Sequence, residues 1–187
     1  MMDEINKTLE YLRSGKIILY PTDTIWGIGC DATLPKPIER IYQIKQRFES
    51  KSMIVLLDDA GKLSKYVDKV PALAYDMIES YNEPLTIIYP GAKNVAKNVI
   101  ADDGTLAIRI VRDDFCRQLI AAFGKPIVST SANVSGQPSP ITFSKIPDEI
   151  RHKVDYIVNY NKDAVVRTKA STIIRIRENG EFEEIRK

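Results

Sequence analysis

Pro126-Ile127-Val128-Ser129-Thr130-Ser131-Ala132-Asn133-Val134-Ser135-Gly136 is an apolar run that turns polar without a break. Pro126–Ser129 predicts a short strand, and Ser129–Pro140, rich in Ser, Gly and Pro, predicts a loop leaving its end. Loops at strand ends are where α/β proteins place their sites. Ser129, Thr130, Ser131 and Asn133 beside backbone amides make a concentrated donor set for phosphate oxygens. A turn that only reverses the chain needs no such density.

Strands and helices interleave around this segment. Ile5, Leu9 and Leu12 recur at helical spacing before Gly15, and Lys16–Tyr20 reads as a strand entering Pro21. A helix is predicted from near Pro37, with Ile38, Ile41 and Ile44 on one face. Met53–Leu57 suits a strand buried on both faces. Short helices are expected over Ala60–Val67 and Ala72–Tyr81, with strands at Leu85–Tyr89 and Thr105–Val111. Asp113 caps a helix that buries Phe115, Leu119, Ile120 and Phe123 and stops at Gly124. Strands are also expected at Tyr156–Val158 and Thr172–Ile176. The latter pairs with Phe182–Ile185 through Asn179-Gly180, read as a two-residue hairpin turn. The expectation is one α/β domain over 1–187: a twisted mixed sheet with flanking helices and a concave basic cleft.

Bulk properties narrow the class. A chain of 187 residues, 44% hydrophobic and 28% charged, is long enough for a core that needs neither disulfide nor structural metal. Cys30 and Cys116 have no metal-ligand spacing, the N-terminus lacks a signal-peptide pattern, and no apolar run approaches a membrane span. A cytoplasmic location is expected. A net charge of +2 gives no reason to invoke nucleic acid from bulk charge, so any basic site must come from local clustering. The single histidine, His152, lies in Arg-His-Lys and reads as solvated, so the chemistry must proceed without imidazole.

Gly27-Ile28-Gly29-Cys30-Asp31-Ala32 matches a loose dinucleotide fingerprint, but Pro35 and Pro37 disfavour the helix that motif requires. The glycines instead suit close approach of backbone to backbone or ligand. Three other groups carry candidate chemistry. Thr22 and Thr24 flank Asp23 just after a strand, where their hydroxyls can meet a polar substrate or simply close a turn. Lys45, Arg47 and Lys51 are three cations within seven residues at a helix end, suited to a polyphosphate or to the helix dipole. Thr105 and Arg109 share one strand face, and Ser171-Thr172 open another strand. An arginine buried there requires an anionic partner, which a ligand or an internal carboxylate can supply.

Taken in order, these segments resemble the L-threonylcarbamoyladenylate synthase family, the YrdC-like proteins of tRNA modification. The matching text is Tyr20 to Asp31, Lys45-Gln46-Arg47 with Lys51, Pro84-Leu85-Thr86, Ala107-Ile108-Arg109, Ser129 to Gly136 and Ser171-Thr172-Ile173. The resemblance spans about residues 16–176 and implies a short, single-domain form. It implies that ATP, bicarbonate and L-threonine give threonylcarbamoyl-AMP and pyrophosphate, with Mg²⁺ accompanying ATP. Lys45, Arg47, Lys51, Thr105, Ser131 and Asn133 would contact the nucleotide, Lys45 and Arg47 acting in catalysis. Thr22, Thr24, Arg109 and Ser171 would surround threonine or its carbamate. Transferase proteins acting on tRNA adenosine next to the anticodon would be partners.

In-line attack on phosphorus needs cations and oriented donors more than a histidine base, and the residues agree with that. Two features differ from many relatives. Asn82-Glu83 stands where they carry Pro-Gly, and Leu56 or Leu57 falls where some longer ones have histidine. The alternative to catalysis is a module that binds tRNA or double-stranded RNA through the same basic cleft.

Overall fold

The computed structural model describes residues 1–46, 53–165 and 169–187. Its strands are β1 (Ile18–Tyr20), β2 (Gly27–Gly29), β3 (Ile54–Leu57), β4 (Leu85–Tyr89), β5 (Leu106–Ile110), β6 (Ile127–Ser131), β7 (Tyr156–Ile157), β8 (Thr172–Ile176) and β9 (Phe182–Arg186). They form one mixed sheet in the order β7-β1-β2-β6-β3-β5-β4-β8-β9. The pairs β1·β7, β3·β5 and β4·β8 are parallel, and the rest are antiparallel.

Alternation along these strands separates two cores. One face carries Val55, Leu57, Ile87, Ile108, Val128 and Ile174 into the larger core, with α2 (Pro35–Lys45) and α3 (Ala72–Ser80) adding to that layer. The other face is covered over only part of its extent. There Ile18, Tyr20, Leu56 and Ile127 pack beneath α1 (Met2–Arg13) and α4 (Asp114–Phe123). Each large apolar side chain buried this way contributes about 1.5–3 kcal/mol. The remainder of that face is open, an apolar floor ringed by polar groups.

Several expectations are met and several are corrected. Asp113 caps α4 by accepting the Cys116 N–H at 2.9 Å, and Gly124 ends it in a left-handed conformation. Helix α2 begins at Pro35, two residues before the expected Pro37. The short helix expected over Ala60–Val67 is a 3₁₀ helix at Ala60–Lys65, with the Asp59 carboxylate accepting the Gly61 N–H. A fifth helix, α5 (Asp148–Lys153), follows Pro147 and was not expected. The β8–β9 turn contains three residues, Glu178 to Gly180. The Arg177 N–H donates to Glu181 O, and Gly180 takes the positive φ.

The discarded fingerprint is a strand. β2 lies between β1 and β6, with Gly29 opposite Ile18 and Gly27 opposite both Tyr20 and Ser131. A Cβ on Gly29 would lie 2.3 Å from Val128 O and 2.7 Å from the Tyr20 ring, so this glycine admits the tyrosine over the sheet. The Tyr20 hydroxyl then donates to Val128 O at 3.1 Å. At Gly27 the nearest contact is Ser129 Oγ at 3.2 Å, a side chain that can rotate away. Gly29→Ala is expected to lower unfolding free energy by about 2–3 kcal/mol or more, and Gly27→Ala by clearly less. Urea unfolding of both variants tests this, and equal losses would refute the backbone-clash account.

Candidate functional site

The open part of the sheet face forms a cavity of about 260 Å³. Ile54, Ile88, Ala107 and Ile173 form an apolar floor. Thr24, Ser129, Thr130, Ser131, Ser139 and Ser171 supply hydroxyls around it, and Arg109 and Arg186 supply positive charge. Among the described residues, no Asp, Glu or His lines it. This is a surface for an anionic, hydrogen-bonding ligand with an apolar portion.

Arg109 occupies the boundary between the covered and open parts. Its register partners are Leu56 on β3 and Thr86 on β4, neither charged. The residue is 4% exposed, and Asp23, its side chain 10% exposed, reaches it across the face at 3.1 Å. That contact lacks hydrogen-bond geometry: Arg109 Nε and Nη2 and Asp23 Oδ1 have no hydrogen-bond partner. The arginine therefore has donors in hand beside a cavity, a condition that costs free energy until an acceptor arrives. Asp113 lies in the same buried group. Burial raises its pKa and the Asp23 charge adds to the rise, against the lowering effect of the Cys116 amide. Burial also pushes the Cys116 thiol well up, with Asp113 and Asp23 adding to it, so this cysteine is an apolar filler and not a nucleophile.

The two threonines after β1 have separate tasks. The Thr22 hydroxyl donates to Ile25 O at 2.7 Å, accepts the Thr24 N–H at 3.1 Å and lies 3.0 Å from the Thr24 hydroxyl. Thr22 thus shapes the turn, and Thr24 is the one that lines the cavity. Ser171 also lines it. Its hydroxyl shares a 2.7 Å hydrogen bond with Thr86, and its carbonyl accepts from Arg186 Nη2 at 2.8 Å and Nε at 3.1 Å. Thr105 is outside the lining. Its hydroxyl donates at 2.6 Å to Asp103, whose pKa is held low by that bond, by the Thr105 amide and by Arg175, against the effect of burial.

In the 129–136 segment, Ser131 reaches the cavity whereas Asn133 is turned inward. The Asn133 carboxamide donates to Gln137 O at 2.6 Å and accepts from Ser131 Oγ at 2.5 Å. Lys45 is 2% exposed, and its ammonium donates to Ser131 O, Asn133 O and Asn133 Oδ1 at 2.6, 2.9 and 3.1 Å. Arg47 and Lys51 lie outside the described residues.

Sequence reasoning missed Arg186, Trp26, Ser139 and the role of Asp23. Trp26 packs against Phe143 at a centroid distance of 5.0 Å, fixing one side of the polar loop. Arg186 could not be read from alternation. Ile176 opposes Phe182, Arg175 opposes Glu183 and Ile174 opposes Glu184, so Ile173 should oppose Ile185. A bulge between Ile173 and Ile174 slips the pairing by one, and Arg186 faces the cavity in its place. Burial, and then the neighbouring Arg109 charge, pull its pKa below the usual guanidinium range.

Fold and site define an α/β domain with a hydroxyl-lined cavity bearing two arginines on a half-covered sheet. The family model described as telomere recombination, covering Sua5, YciO and YrdC, matches residues 10–187, and the chain belongs to this family. A threonylcarbamoyl-AMP synthase of Pseudoalteromonas translucida is 36% identical over 151 residues, covering 79% of this chain and 81% of the relative. The crystal structure of E. coli YciO superposes with a TM-score of 0.86 at 25% identity, over all of this chain and 90% of that one. A doubly substituted P. abyssi Sua5 gives 0.85 at 26% identity, over 93% of this chain and 50% of that one.

Arg109→Met is expected to leave the Asp23 carboxylate buried and unpaired, at a cost of about 3–5 kcal/mol. Adding Asp23→Asn is expected to restore part of that loss. A double-mutant cycle by urea unfolding measures the coupling, and strictly additive losses would show that the two charges are independent.

Proposed function

We propose that this chain forms L-threonylcarbamoyl-AMP and pyrophosphate from ATP, bicarbonate and L-threonine. The observation that carries the reading is the buried Arg109, whose Nε and Nη2 lack a hydrogen-bond partner, in the wall of a cavity lined among the described residues by hydroxyls and no acid, in a chain 36% identical to a synthase of that name. Arg109 receives the threonine carboxylate, and Thr24 and Ser171 take its remaining polar groups. Arg186 and Ser131 meet the nucleotide phosphates, with Asn133 behind Ser131. Arg47 and Lys51, which follow α2 in sequence, supply further positive charge.

Threonine's amine attacks the carbon of bicarbonate, and water leaves as the carbamate forms. A carbamate oxygen then attacks the α-phosphorus in line, and the bond to the β-phosphate's bridging oxygen breaks to release pyrophosphate. Each species is anionic, so fixed cations and hydroxyl donors stabilise charge that moves along one line. Mg²⁺ carried by ATP would supply charge neutralisation on the polyphosphate, beside Arg186 and Ser131. Among the described residues no cluster of three His, Cys, Asp or Glu is available to hold an ion independently of the nucleotide. The acyl-adenylate then passes to a transferase acting on tRNA adenosine next to the anticodon. Among the described residues no helix is long and apolar enough to cross a membrane, and we place the reaction in the cytoplasm.

Pyrophosphate release is expected only when ATP, threonine and bicarbonate are supplied together, with label from bicarbonate appearing in an acyl-adenylate. Arg109→Ala is expected to raise KM for threonine at least about tenfold, with KM for ATP changing by less than about threefold. RNA binding without any labelled adenylate would replace the synthase reading with that of an RNA-binding module.

A further inference from the structure

Lys45 is the one cation of the Lys-Gln-Arg stretch whose surroundings are described, and it points away from the task its sequence context suggests. It ends α2 and is 2% exposed. An ammonium has three protons, and here three protein oxygens receive them: Ser131 O, Asn133 O and Asn133 Oδ1. Its own carbonyl accepts the Ser135 N–H at 2.9 Å. Four hydrogen bonds therefore join one residue of α2 to a five-residue stretch of loop.

The bonds are arranged as a chain. Ser131 Oγ donates to Asn133 Oδ1, which also accepts from Lys45, and the Asn133 amide group donates onward to Gln137 O. Taking away the ammonium leaves two carbonyls and a carboxamide oxygen without their shared donor, inside a wall where water has little access. An arginine does not substitute, because a planar fork cannot send three protons to three converging acceptors.

We propose that Lys45 is a positioning residue: its ammonium clamps the Ser131–Gln137 segment so that Ser131 sits at the cavity, and it does not itself grip phosphate. The proposal rests on the synthase reading for its effect on ATP, but the clamp is a property of the ligand-free chain and is measurable without it.

Lys45→Met keeps the stem and removes the donors. Without nucleotide, amide hydrogen exchange across 132–137 is expected to speed up by at least about tenfold, with β3 and β5 unchanged. ATP affinity is expected to fall by about tenfold or more, with KM for threonine within about twofold of wild type. In an Asn133→Ala background the same substitution is expected to cost little further ATP affinity, because both changes break one unit. Unchanged exchange, with ATP losses that multiply across the two substitutions, would falsify the clamp and make Lys45 a direct phosphate contact.

If Lys45→Met does not fold, lysine acetylation of the wild-type chain decides. The clamp requires Lys45 to react at least about tenfold more slowly than exposed Lys36, with and without ATP. A Lys45 that is reactive in the free chain and protected only by ATP overturns the proposal. Should wild type bind no ATP while the exchange result holds, the synthase reading fails and the clamp stands.

Discussion

A guanidinium in the middle of a sheet is the constraint around which this molecule is organised. Arg109 lies on a strand flanked by Leu56 and Thr86, where solvent cannot reach and an uncompensated charge would cost several kcal/mol. The Pro21–Thr24 turn answers this by sending Asp23 across the sheet, and Thr22 spends its hydroxyl holding that turn. The answer is incomplete, since the ion pair is close but misaligned. What the protein leaves without a hydrogen-bond partner is Arg109 Nε and Nη2, on a residue of the cavity wall.

The same division between spent and available groups runs through the rest of the site. Thr86 holds Ser171, Asn133 holds Ser131, and Asp103 occupies Thr105. Behind each of Ser171 and Ser131, which meet the cavity, stands another polar group that fixes the rotamer. Such second-layer support gives a binding surface its geometry before a ligand arrives, which lowers the ordering cost of binding. The apolar floor of Ile54, Ile88, Ala107 and Ile173 contributes differently, by excluding water from beneath the charges.

Much of this was legible in the residues, and the parts that were not have identifiable causes. Strands β3, β4, β5 and β6 announce themselves as β-branched apolar runs, and the capped helix α4 by Asp113 and Gly124. β2 was invisible because its glycines carry no periodicity; their reason to exist is the Tyr20 ring, 108 residues from the carbonyl that its hydroxyl reaches. Thr22 and Thr24 are identical as letters and are told apart only by which oxygen is already engaged. Lys45 reads as one of three clustered cations, yet helix phase turns it into the wall. His152, exposed as expected, is the reverse case, where the bland reading held.

The bulge between Ile173 and Ile174 has a consequence of another kind. β9 presents Ile185 and Arg186 as neighbours on opposite sides of a ribbon, and a one-residue offset selects which of them faces the cavity. Chemical character at that spot is thus stored in pairing phase as well as in residue identity. A single insertion or deletion in the hairpin could exchange a cation for a hydrocarbon there while leaving the composition of the strand nearly untouched. Lineages carrying this fold can therefore retune the charge of the cavity by a frame shift in hydrogen bonding, a route that comparison of aligned letters would record as a gap.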